Sequence, residues 1–149
     1  MAYDFGGPWS GKSCHHAQLY PGVSGESSGS TAVDYMIRRG FPAKKILLGV
    51  PVYGRSFLGA TSAGQSFVGQ GGEEGTFEYK NLPREGADEN IDTKLVAAYG
   101  IGGDGGFVSY DTPETVKIKG NFCREKRLGV SFSPMPPISR MTINTNEAS

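Results

Sequence analysis

The chain has 149 residues, of which 37% are hydrophobic and 20% charged, and its fifteen basic and fifteen acidic side chains cancel. That balance leaves no electrostatic case for nucleic acid or an anionic membrane as partner, and the longest apolar run, 46–52, falls far short of the ~20 residues a membrane helix needs. Seven Tyr and eight Phe argue against disorder throughout.

Glycine is the outlier. Its 23 residues are about twice the usual share of roughly 7%, and many fall between positions 49 and 106, which predicts long loops and tight turns. The two cysteines, Cys14 and Cys123, are isolated, so neither a metal nor a redox CxxC pattern exists; a single disulfide and two free thiols both fit. The opening Met1-Ala2-Tyr3-Asp4 has neither the basic nor the apolar region of a signal peptide.

Along the chain, 1–5 reads as the end of a strand that breaks at Gly6-Gly7-Pro8, followed by a polar loop to Ser30 with a turn at Pro21-Gly22. A helix is predicted from Thr31, with Asp34 as its capping-box partner. Val33, Met36 and Ile37 give it one buried face, and Gly40 and Pro42 stop it. The stretch 44–52, nearly continuous in Ile, Leu and Val, predicts a parallel strand buried on both faces. From 56 to 75 a Gly-rich excursion exceeds the loops of compact α/β units. Short strands are expected at 76–79, 94–99 and 106–110, the last two around the glycine turn 102–105. Thr112-Pro113-Glu114 has the form of a helix start, cap then Pro then acid, with Val116, Ile118 and Phe122 as its apolar positions. A last strand is expected over 128–132. From 133 onward prolines and polar residues predict a disordered tail.

Two places carry chemistry, each at the C-terminal end of an expected strand, where α/β folds gather their sites. One is Tyr3-Asp4 with Trp9; the other is Tyr53-Gly54-Arg55. An exposed aromatic face with Asp and Arg nearby suits a neutral, hydroxyl-rich ligand such as a sugar, although Tyr3 and Tyr53 could equally be core residues and Asp4 a turn cap. His15-His16 has no Cys or carboxylate at ligand spacing, and the glycines of 69–75 lack the GK[ST] of a phosphate loop. No metal and no cofactor are expected.

The residues also form a family pattern. Met1-Ala2-Tyr3-Asp4-Phe5 with Trp9 resembles the sixth-strand M-x-Y-D motif of glycoside hydrolase family 18, the chitinases, and the run from Ile46 to Phe57 resembles the seventh-strand motif. Gly75-Thr76-Phe77-Glu78-Tyr79 is similar to the start of the family's α+β insertion, and the segment from Val108 to Val116 to its exit. The resemblance implies an α/β fold, a partial (β/α)8 TIM barrel (roughly strands 6 to 8) with a small α+β insertion. Its parts would be 1–57 (strands 6 and 7 with their helix), 58–111 (Gly-rich loop and insertion), 112–132 (barrel helix and start of strand 8) and the tail 133–149.

It further implies cleavage of β-1,4-linked N-acetylglucosamine polymers by substrate-assisted, retaining hydrolysis, in which the sugar's acetamido oxygen attacks while a glutamic acid protonates the leaving oxygen. Tyr3 would hold the acetamido carbonyl, Asp4 would bind hydroxyl or amide groups at the cleavage point, and Trp9 would stack a sugar. Tyr53 and Arg55 would line the cleft, and Met1 would pack under the acetamido methyl. Chitin or its oligosaccharides would be the partner, and secretion is expected.

The D-x-x-D-x-D-x-E motif that carries the family's acid is not among the 149 residues. Glu74 and Glu78 follow no barrel strand and are poor substitutes, and the tryptophan expected after strand 8 is not present, Trp9 being the one Trp. The chain alone is therefore expected to be inactive and to self-associate through uncovered barrel strands. A non-catalytic, lectin-like chitin binder and a non-functional remnant stand as alternatives.

Overall fold

The computed structural model describes residues 1–133. Two sheets share the chain: a parallel pair, β1 (Leu47–Pro51) with β7 (Gly129–Ser133), and a five-stranded antiparallel sheet. The second is ordered β3 (Thr76–Glu78), β2 (Tyr53–Phe57), β6 (Gly106–Tyr110), β5 (Ala97–Gly102), β4 (Ala87–Asp92). Each parallel strand is preceded by a helix, α1 (Gly29–Arg38) before β1 and α2 (Pro113–Lys126) before β7.

Helix α1 starts two residues before the expected Thr31. Ser28 is its N-cap, and Thr31, not Asp34, closes the capping box, because a hydroxyl at N3 returns a bond to the Ser28 N–H at 3.0 Å. Asp34 instead pairs with Lys126 on α2 at 2.8 Å. Val33 is buried, and Met36 and Ile37 pack against a core of Leu19, Ile46, Leu48 and Phe122. Helix α2 begins as the sequence predicts, with Thr112 as cap and Pro113 in its first turn.

The α2 interior holds an ion pair that its apolar pattern does not announce. Lys119, 3% exposed, donates to Asp111 Oδ2 and to the Ala17 carbonyl, both at 2.6 Å, while Thr115 donates to Asp111 Oδ1 at 2.7 Å. Burial draws the Lys119 pKa down, against the pull of Asp111. The pair ties the loop before α1 to the helix after the insertion.

Several expectations need correction. Residues 1–5 form no strand ladder, since β1 pairs with β7 and the opening segment only lies alongside. The strand expected over 44–52 shortens to β1, because 43–45 make a 3-10 turn. Nor is β1 buried throughout: Leu47 is 61% exposed. Residues 53–57 are β2 of the antiparallel sheet rather than an extension of a barrel strand, so that sheet reaches back across the expected boundary at 58. The strand expected at 94–99 is β5, displaced because Asp92 Oδ1 caps a turn through the N–H groups of Lys94 and Leu95. Strand β4 has no counterpart among the strands that the sequence predicts. Ser133 closes β7; the rest of the predicted tail lies outside the described residues. Cys14 and Cys123 are both free thiols.

Candidate functional site

The sequence-predicted residues meet where segment 1–9 crosses the start of β2. Gly49 on β1 permits this approach: a Cβ there would stand 3.0 Å from Tyr3 and 3.4 Å from the Met1 backbone. Arg55 sits on β2 between Thr76 of β3 and Ser109 of β6, which fixes its backbone on both sides. Its guanidinium grips Asp4 as a fork, Nε to Oδ1 and Nη2 to Oδ2, each at 2.9 Å. Asp4 holds this position with φ at 58°, a left-handed conformation that costs a non-glycine residue energy and is kept only where surrounding contacts over-determine it.

The same guanidinium lies 4.9 Å from the Trp9 ring centre and 5.4 Å from that of Tyr53. Trp9 is 64% exposed, so a broad aromatic face remains open to solvent above a cationic support. Its ring folds over Gly7, with ring atoms 2.6–2.9 Å from where a Cβ would be. Tyr53 is buried, and Tyr3 meets it edge-on at 6.1 Å. Met1 is 93% exposed.

His16 belongs to this cluster, and sequence reasoning missed it. It is fully buried, with Nδ1 3.5 Å from Asp4 Oδ1 and 3.4 Å from the Asp4 backbone nitrogen. Its own N–H donates to Ser109 Oγ at 3.1 Å, and its carbonyl accepts from Phe5 at 3.0 Å. The available signal was the adjacent His15: two neighbours in an extended segment face opposite ways, so the pair sends one imidazole to each side, but no local pattern says which side meets Asp4.

Electrostatically the cluster is a fixed anion beside a fixed cation. Burial works to raise the Asp4 carboxyl, but the contacts with His16 and Arg55 outweigh it and hold Asp4 well below the usual carboxylate range. Burial, then the Asp4 charge, pushes the Tyr53 hydroxyl up, and burial pulls His16 down despite Asp4. A carboxylate held ionised accepts hydrogen bonds and cannot serve as a proton donor. The arrangement sets a hydrogen-bond acceptor, a cation and an open stacking face side by side, with Asp4 as acceptor rather than acid. Glu74 is exposed, and Glu78, opposite Tyr53 in the β2–β3 register, pairs with Lys80. Among the described residues no group of three or more His, Cys, Asp or Glu is arranged to hold a metal.

The model of the family Glycosyl hydrolases family 18 matches residues 1–132. Endochitinase 1 of Metarhizium robertsii is 40% identical over 140 residues, a match covering 89% of this chain and 33% of that protein. Chitinase 1 of Aphanocladium album is 34% identical over 137 residues, covering 87% and 32%. The chain thus spans about a third of the curated relatives it matches. Among solved structures, a GH18 chitinase from Cycas revoluta in complex with (GlcNAc)4 superposes with a TM-score of 0.80 at 34% identity, covering 89% of this chain and 40% of that one. Human YKL-39, a pseudo-chitinase with retained chitooligosaccharide binding properties, gives 0.80 at 26% identity, covering 89% and 41%.

Proposed function

The chain belongs to the glycosyl hydrolases of family 18, its fold is part of that family's (β/α)8 barrel, and from this we propose that its Asp4–Arg55–Trp9 assembly binds chitin oligosaccharides in the manner of a chitinase cleft. The observation that carries the reading is the bidentate fork between Asp4 and Arg55 directly beneath the exposed Trp9 ring. It combines an immobilised acceptor, a cation and a stacking face at one place, which is what a neutral pyranose requires.

In the whole protein these residues would serve substrate-assisted hydrolysis. Tyr3 would hold the acetamido carbonyl near the anomeric carbon, a contribution of orientation. Asp4 would accept from the sugar's amide or hydroxyl groups, Trp9 would stack a sugar, Tyr53 and Arg55 would line the cleft, and Met1 would cover the acetamido methyl. The proton for the leaving oxygen would come from the glutamic acid of D-x-x-D-x-D-x-E, a motif outside these 149 residues. The chain by itself is then a binder without hydrolytic activity. Secretion and a part in chitin breakdown follow from the same reading.

A lectin-like role is the second reading, favoured by the fold shared with human YKL-39, a pseudo-chitinase with retained chitooligosaccharide binding properties. We also expect self-association through the open parallel pair, where Leu47 and Phe132 are 61% and 60% exposed. The deciding experiment is retention of the chain on chitin beads beside a hydrolysis assay on (GlcNAc)4. Retention lost in Trp9→Ala, with no released sugar, supports the reading. Retention that ignores Trp9 overturns it.

A further inference from the structure

The left-handed bend at Asp4, with φ at 58°, lets its carboxylate meet Arg55 while its backbone N–H turns to His16. Two successive backbone donors end on that one residue. The Asp4 N–H reaches His16 Nδ1 at 3.4 Å, and the Phe5 N–H reaches the His16 carbonyl at 3.0 Å. Nδ1 also stands 3.5 Å from Asp4 Oδ1, so a single ring atom faces both the main chain and the carboxylate of Asp4. We propose that His16 is the positioning residue of the site, the group that keeps Asp4 bent and its carboxylate seated in the Arg55 fork. Its consequence for sugar rests on the proposed chitin cleft; its effect on the fork does not.

His16 can set Asp4 because it is itself anchored. Its N–H donates to Ser109 Oγ at 3.1 Å, and Ser109 stands opposite Arg55 in the β2–β6 register. The next carbonyl, that of Ala17, accepts from the buried Lys119 at 2.6 Å. The His16 ring is fully buried and lies 5.3 Å from that of Tyr53, tilted by 36°. The residue that bonds Asp4 is thus referenced to the strand pair that carries Arg55, and one frame places both ends of the ion pair. Burial keeps the imidazole neutral, which lets Nδ1 offer its lone pair to the Asp4 N–H.

A non-glycine residue at positive φ relaxes unless its neighbours hold it. Removing the imidazole nitrogen beside Asp4 therefore frees the carboxylate to leave the fork, although every atom of the fork is still present.

The test uses the full chain with His16→Leu and His16→Asn. Leucine approximates the bulk of the ring without its nitrogens, whereas asparagine is smaller but sets an amide oxygen about where Nδ1 lies. The first readout is NMR hydrogen exchange of the Arg55 Nε–H, which the buried fork should protect in the native chain. Protection is expected to fall about tenfold in His16→Leu and to stay within about twofold of native in His16→Asn. The second is (GlcNAc)4 affinity by calorimetry. It is expected to drop about fivefold in His16→Leu, the size of one net hydrogen bond, and to recover in His16→Asn.

A role in packing alone predicts the opposite order, since asparagine leaves the larger void. Native protection in His16→Leu, equal loss in both variants, or an unprotected Arg55 in the native chain would each overturn the proposal. Loss of protection in His16→Leu with no (GlcNAc)4 bound by any chain sustains the positioning role and overturns the cleft reading instead. If His16→Leu does not fold, His16→Met, apolar and pliant enough to fill the same space, takes its place.

Discussion

Arg55 is 7% exposed, and among the described residues its charge is answered by Asp4, across 51 residues of sequence. Lysine keeps the charge but not the planar fork that matches a carboxylate. Arg55→Lys should therefore weaken (GlcNAc)4 binding by about tenfold, the size of one lost charge-assisted hydrogen bond, read by calorimetric titration. Asp4 titrates below its ordinary value of about 3.9, so its contribution to stability is present above that value and drains away as pH falls toward the native one. The Asp4→Asn chain should be the less stable one at pH 7, and the gap should begin to narrow only below about pH 4 and shrink further as the pH falls; urea unfolding over a series of pH values from 7 downward checks this. The residue types of the site were legible in sequence, because Tyr-Asp and Tyr-Gly-Arg end apolar runs. Their ion pair was not: no local pattern states which charge meets which across two elements.

At the scale of elements, α1, α2, β1 and β7 could be read because caps and apolar runs are local signals. Strand β4 could not. Its sequence Ala-Asp-Glu-Asn-Ile-Asp pairs with β5 along one edge only, and its charged, exposed side chains are those by which edge strands avoid further pairing. Strand β2 could not be told apart from β1, because 46–57 reads as one run and nothing local marks the change of sheet at Val52. Tertiary contacts make that change: Ser56 donates to the Gly105 carbonyl at 2.6 Å and Arg55 is held by Asp4. Helix α2 makes a sharp prediction through its buried pair. Lys119→Met leaves Asp111 buried without its cation and should cost about 3–5 kcal/mol, whereas Asp111→Leu/Lys119→Met should recover most of that. Denaturant melts of the single and double variants measure the difference. Loss of the α1 cap by Ser28→Ala should cost about 1 kcal/mol in the same assay.

For the whole molecule, acid sensitivity should set in near neutrality. Burial depresses both His15 and His16 in the folded chain. Below the unfolded value of about 6.5, the unfolded chain binds protons that the folded one does not, and stability falls with pH. Replacing either by Gln should flatten that limb of a thermal melting series. Association should respond to the open parallel pair: Phe132→Lys is expected to shift sedimentation toward monomer with the cleft unaltered. One further consequence follows from the lone indole of the chain, seated over Arg55 and 64% in solvent. All long-wavelength intrinsic emission arises from that single ring, so a bound sugar would dim or blue-shift the protein's entire glow. The chain carries its own optical gauge of cleft occupancy.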